Sequence, residues 1–261
     1  MGNAVKIGWL ADDPSYKGGA ELAAEELIAC APEWAEIVLC PPHQVREDVD
    51  AYVIHNCVQY NAGIISRLDR KPVIKCVHDV WPEGDMHLKA WLLNHARVLL
   101  LSSPLHRQYV RGSVMTMIVP NAISLDRFRA ARNGTRSGAI WLGRLEAGKG
   151  IDEALQWAEQ NGHTLDFYGY GSLAHTFCEP GRYCGRLEPG QVPEVLGRYQ
   201  TFVFLPTAVE PFSRTVVEAW AAGCELVVNN NIGAVWGLQN NPAALDRGGQ
   251  MFWEIVEQCL S

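Results

Sequence analysis

Glu210 and Glu218, eight residues apart, bracket a stretch whose residue types suit ligand binding. The apolar run Thr201 to Leu205 predicts a buried parallel strand closed by Pro206. Pro211 and Ser213 are start signals for a helix: the proline because its φ is already helical, the serine because its hydroxyl can accept a free backbone N–H. Gly223 is the stop signal. Glu210 is then expected in the loop at the strand's carboxyl end, beside the electropositive helix mouth. Glu218 falls about two turns from Pro211, so that both carboxylates can face one crevice. A carboxylate at the mouth can hold sugar hydroxyls while the free N–H groups take a phosphate, and the deeper one can accept both hydroxyls of a ribose. Two glutamates at this spacing also fit a capped helix with a solvated face.

A second cluster reads Gly143-Arg144-Leu145-Glu146-Ala147-Gly148-Lys149-Gly150. It approaches the phosphate loop G-x4-G-K-[ST], but Gly150 stands where a hydroxyl would ligate Mg²⁺, which argues against a nucleotide triphosphatase. His78-Asp79 falls at a predicted strand end, where a histidine serves more often as a loop hydrogen-bonder than as a catalytic group. Gly18-Gly19 and Gly169-Tyr170-Gly171 sit at strand ends where backbone can approach a ligand closely. His78, Asp79, Asp85 and His87 show no H-x3-H or cysteine set, so no metal site is expected. No strand is followed by a complete G-x-G-x-x-G with its acidic partner, which argues against a Rossmann dehydrogenase.

Glu210-Pro211-Phe212-Ser213-Arg214 through Glu218-Ala219-Trp220-Ala221-Ala222-Gly223 resembles the E-x7-E element of retaining glycosyltransferases of the GT-B fold, specifically family GT4. Ser213 replaces the usual glycine. Four further segments resemble family elements in the family's order: Gly18-Gly19-Ala20-Glu21, His78-Asp79-Val80-Trp81, Val119 to Phe128 with Ala122 for glycine, and Gly143 to Gly150. The resemblance implies a nucleotide-diphosphate sugar as donor substrate, no metal and no other cofactor. It implies that His78, Arg144, Lys149 and Glu210 carry the chemistry, Arg144 and Lys149 reaching one diphosphate. It implies donor contacts from Gly18, Gly19, Gly143, Gly169, Gly171, Pro211, Phe212, Ser213, Arg214 and Glu218, and stacking of Arg186 on the nucleobase. It also implies retention by front-face attack, with the leaving phosphate helping to deprotonate an acceptor: a glycan, a protein or a small molecule. A non-catalytic nucleotide-binding relative and a GT-B-like sugar-nucleotide epimerase are the alternatives; nucleotide turnover with an acceptor pool separates them.

The elements that must position these groups alternate along the chain. Strand-like runs are expected at Val5 to Leu10, Ile37 to Cys40, Tyr52 to His55, Val73 to Val77, Val98 to Ser102 and Met117 to Val119, with short helices between. A second series begins at Ala139 to Leu142 and continues through Thr164 to Tyr168, Tyr183 to Leu187, Thr201 to Leu205 and Glu225 to Val228. Such alternation predicts doubly wound parallel sheets with ligands beyond the carboxyl strand ends. The polar segment Ala130 to Gly138 reads as a linker, dividing an acceptor-side domain, 1–130, from a nucleotide-sugar domain, 131–261, with a closing C-terminal helix. The resemblance implies that the two Rossmann-like domains face each other across a cleft. The apolar stripe Phe252, Ile255 and Val256 of the closing helix reads as core.

The chain's 261 residues are 48% hydrophobic and 20% charged, a globular composition. A net charge of −7 with scattered Lys and Arg argues against nucleic acid as main partner. No signal-type segment or membrane-length apolar run is read, and the eight cysteines are widely spaced without C-x-x-C. A cytoplasmic protein with reduced thiols is expected, with monotopic membrane association left open.

Overall fold

The computed structural model describes residues 4–12, 18–80, 84–132, 134–174 and 180–261. The chain divides into two compact units, Met1–Ile123 with Ala243–Ser261, and Ser124–Pro242. In the first unit, strands β1 (Val5–Leu10), β2 (Ala35–Cys40), β3 (Ala51–Ile54), β4 (Val73–Val77), β5 (Val98–Leu101) and β6 (Thr116–Ile118) form a parallel sheet of order β2-β1-β3-β4-β5-β6. Side chains alternate between its faces, as the two-residue strand period requires. Ile7, Trp9, Val53, Ile74 and Leu100 enter one core cluster; Leu10, Tyr52, Ile54, Val73 and Leu99 enter the other. Helix α1 (Gly19–Ala29) contributes Ala24 and Leu27 to the first cluster. Helices α2 (Ile65–Leu68) and α3 (Met86–His95) contribute Leu68, Leu88 and Leu92 to the second. Helix α4 (Pro104–Arg107) starts at Ser103, whose hydroxyl accepts the His106 N–H.

The second unit opens with helix α5 (Asp126–Ala130), inside the span expected to belong to the first domain. Its sheet comprises β7 (Ala139–Arg144), β8 (Leu165–Tyr170), β9 (Gly181–Gly185), β10 (Thr201–Phe204) and β11 (Glu225–Val228), all parallel, in the order β11-β10-β7-β8-β9. Helices α6 (Ile151–Gln160), α7 (Val192–Arg198), α8 (Arg214–Ala222) and α9 (Gly233–Asn240) complete it. Trp141, Phe167, Phe202 and Phe204 fill the core, with Trp141 packed on both Phe167 and Phe204.

The closing helices, α10 (Pro242–Asp246) and α11 (Gly248–Leu260), correct the expected boundary: Ala243–Ser261 belongs to the first unit. Phe252, Trp253, Ile255 and Val256 enter the cluster of Ile7 and Trp9, and the Trp253 indole donates to the Leu27 carbonyl at 2.9 Å. The apolar stripe is core, as read, but the core is that of the first sheet. Among the described residues, no helix is long and apolar enough to cross a membrane, and every described cysteine is a free thiol.

Candidate functional site

In the second sheet the strand order reverses between β7 and β10, which makes the carboxyl ends of those strands the expected ligand crevice. Three loops meet there. The Gly148 carbonyl accepts the Thr207 and Ala208 N–H groups, both at 3.0 Å, tying the loop after β7 to the loop after β10. Asn229 and Asn231, after β11, both donate their side-chain amides to the Pro206 carbonyl, at 2.9 and 2.8 Å. Glu210 N–H donates to the Asn231 carbonyl at 2.8 Å, and the Glu210 carbonyl accepts Gly233 N–H at 2.9 Å. This lattice brings Lys149 to Glu210: Nζ lies 2.6 Å from Oε1, both side chains largely covered. The asparagines were not among the residues singled out by sequence; the polar run Asn229 to Asn231 after a strand was their only signal.

The other predicted side chains take different partners. The Arg144 guanidinium donates to Glu146 at 2.6 Å and is half-exposed. Glu218 is buried, and Arg214 on the preceding helical turn lies 3.5 Å from it, also buried. Arg186 stacks over the Tyr170 ring, 4.7 Å from its centroid. Phe212 is buried and its carbonyl accepts the Ala234 N–H. The capping role expected of Ser213 is absent: α8 begins at Arg214, Ser213 makes no side-chain cap, and its hydroxyl faces that of Thr215 at 3.4 Å. Its φ is +69°, the left-handed side of conformational space, which explains why glycine suits this position. Pro211 accordingly lies before the helix.

The glycine pair Gly169 and Gly171 has a packing explanation. Gly169 lies within β8 rather than in a turn after it, and a Cβ there would sit 1.8 Å from the Gly143 carbonyl oxygen. One on Gly171 would sit 2.4 Å from that of Leu145. The G-x-G run lets β8 close against the end of β7.

The first sheet reverses between β1 and β3. The Asp12 carboxylate accepts Val58 and Gln59 N–H groups, pinning the loop after β3. Glu21 accepts the Gly18 N–H at 2.9 Å and the Asn56 amide at 3.2 Å, so the Gly18 donor is turned to its own helix. Gly19 is the first residue of α1, and the loop 13–17 lies outside the described residues, as does Trp81 of the His78 motif. His78 Nε2 lies 3.0 Å from Nδ1 of His55, a buried ring stacked on Trp9. His106 is fully buried: Nδ1 accepts from the Ser102 N–H, and Nε2 faces the Asp79 carbonyl. Burial pushes its pKa down to about 4. Asp85 caps α3, accepting the His87 and Leu88 N–H groups, and also accepts that of Ala62. Among the described residues, no group of three or more His, Cys, Asp or Glu is placed to hold a metal ion.

Three comparisons bear on this geometry. No protein-family model matches the chain. Over 180 residues it is 25% identical to glycogen synthase of Mycobacterium tuberculosis, the match taking in 59% of this chain and 43% of that protein. The chain therefore spans less than half the length of the curated relatives it matches. Among solved structures it is similar to Anabaena HepE in complex with UDP and glucose, at TM-score 0.69 and 14% identity over 97% of this chain and 95% of that one. It is similar also to AviGT4, a glycosyltransferase involved in avilamycin A biosynthesis, at TM-score 0.69 and 16% identity over 94% and 88% of the two chains. Sucrose-phosphate synthase from Thermosynechococcus elongatus gives 0.66 and 14%, over 98% and 95%. At such identities the likeness speaks for the fold: the two doubly wound parallel sheets are the Rossmann-like domains of GT-B.

Proposed function

We propose that the chain is a retaining, metal-independent glycosyltransferase of the GT4 type, using a nucleotide-diphosphate sugar and needing no other cofactor. The observation that carries this reading is the Lys149–Glu210 pair at the sheet's reversal point, held by loops from three strands. Lys149 is assigned to the diphosphate and Glu210 to sugar hydroxyls, so the two partners hold adjoining groups of one donor. Arg144, half-exposed on Glu146, exchanges that carboxylate for the diphosphate. The motif assigns His78 to the donor sugar. In the reaction the bond from the anomeric carbon to the phosphate oxygen breaks and the phosphate keeps the electron pair. The acceptor oxygen bonds to that carbon on the same face, and its proton passes to the departing phosphate. Cationic stabilisation of the growing phosphate charge is the dominant protein contribution. The names of the neighbours, which include UDP complexes, support a nucleotide-sugar donor.

A second reading is favoured by one observation: Glu218, assigned to the ribose, is buried beside Arg214. A binding module without turnover would tolerate that arrangement. Both readings meet the same experiment. Melting of the full chain is followed with UDP, GDP, ADP, CDP, dTDP and NAD, for the native protein, Arg144→Ala and Lys149→Ala. One nucleoside diphosphate is expected to raise the melting point by several degrees, and both variants to lose that rise. Hydrolysis or transfer from the matching nucleotide sugar then separates the transferase from the binding module. A panel in which no diphosphate stabilises the chain, or only NAD does, rejects the donor site.

A further inference from the structure

Lys75 stands on β4, between β3 and β5, where Val73 and Val77 on the same face are buried core. The lysine is itself only 8% exposed. Its Nζ donates to the His55 carbonyl at 3.0 Å, and among the described residues no carboxylate forms an ion pair with it. An ammonium has three donors and no acceptor, so one backbone carbonyl leaves most of its hydrogen-bonding capacity unused and its charge without an ion-pair partner. A buried charge without a counter-charge is among the costliest features a core can hold, and an aliphatic residue would fit this strand position without that cost.

The lysine lines a small recess at the carboxyl end of β4. His55, His78 and Asn56 line its walls, with Lys89 of α3 and the exposed Asp79. Asp79 is the one acidic residue lining the recess among those described, and it makes no ion pair with Lys75. Every residue lining the recess belongs to the first unit, whereas Lys149 and Glu210 belong to the second.

We propose that this recess is an oxyanion site, in which Lys75 takes a phosphate or carboxylate group carried by the acceptor substrate. The assignment to the acceptor rests on the proposed transferase reading, which places the donor diphosphate at Lys149; the anion site itself does not. An oxyanion supplies the missing negative charge and the acceptors that Lys75 lacks, and Lys89 adds a second positive charge to the lining.

Melting of the full chain is compared in sodium chloride, sodium phosphate and sodium acetate at equal ionic strength and pH, for the native protein, Lys75→Met and Lys149→Ala. Phosphate, acetate or both are expected to raise the native melting point by roughly 3 °C or more over chloride. Lys149→Ala should keep that rise. Lys75→Met should lose it while melting in chloride no lower than the native chain, because it removes an uncompensated buried charge. Phosphate acting alone identifies a phosphorylated acceptor group, and acetate acting as well identifies a carboxylate-compatible one. The proposal is overturned by a native protein that responds no more than to chloride, by a rise that survives in Lys75→Met, or by one lost in Lys149→Ala. Should Lys75→Met fail to fold, lysine side-chain NMR of the native protein and Lys149→Ala decides the matter. A buried ammonium resonance that phosphate shifts in both supports the site, and one that shifts in neither removes it. A nucleoside-diphosphate response that depends on Lys149 stands or falls separately.

Discussion

At the scale of single residues, Ser213 shows how a substitution within a motif becomes a backbone statement. Of the described residues it alone combines a side chain with positive φ, and its ψ of 92° lies away from the left-handed minimum. The neighbouring Phe212 is anchored in the core and α8 starts directly after, so the chain has one residue in which to turn. That strain costs on the order of 1 kcal/mol for a residue with a Cβ. Ser213→Gly is therefore expected to stabilise the second unit by about 1 kcal/mol in urea denaturation, because no cap hydrogen bond is lost with the hydroxyl. An equal or lower stability would contradict the strain. Glu218 and Arg214 teach a different lesson. Their spacing of one helical turn was visible, yet only burial shows that the carboxylate meets a guanidinium rather than solvent.

At the scale of elements, the site is a matter of loops pressed together closely enough to exclude side chains. A Cβ on Gly150 would lie 2.0 Å from the Leu205 carbonyl oxygen, and the residue has φ of +74°. Both objections concern backbone, which has nowhere to move while β7 and β10 remain paired. Gly150→Ala should cost about 3–5 kcal/mol and abolish the proposed diphosphate-dependent rise in melting point along with the Lys149–Glu210 contact. A variant that melts like the native chain and still responds to the nucleotide would show that the loops are not latched as described. The glycines of the octet suggested a ligand loop; that Gly150 is required by the segment leaving β10 was not legible. Local spacing carries no information about which strand lies alongside.

At the scale of the whole chain, two separate cores imply stabilities that respond differently to acid. His106 lies in the first unit, buried and neutral, with Nδ1 accepting a backbone hydrogen bond that protonation would abolish. Its pKa falls from the ordinary 6.5 to about 4, a gap corresponding to roughly 3 kcal/mol. In the unfolded chain the ring gains its proton first, so the stability it contributes is fully present above pH 6.5 and is lost as pH falls towards 4. Melts between pH 7 and 4 should show unfolding of the first unit shifting more steeply than in His106→Gln, with the second unit's transition indifferent to the substitution. Parallel slopes in the two proteins would remove His106 from the account.

Much of this architecture was readable in advance because its causes are local. Strand alternation follows from the two-residue period, and the order of strands and helices selects parallel, doubly wound sheets. The motif residues themselves are local too, and the strand-end positions of His78, Lys149 and Glu210 follow from them. Other features were decided by tertiary structure, since they depend on partners far away in the chain. Lys149 meets Glu210 across 61 residues because β7 and β10 are neighbours in the sheet. Trp253 reaches Leu27 across 226 residues, which assigns the closing helix to the first unit instead of the second. An apolar stripe specifies that a helix will be buried, but which core receives it depends on which apolar surface of matching shape the folded sheets leave uncovered.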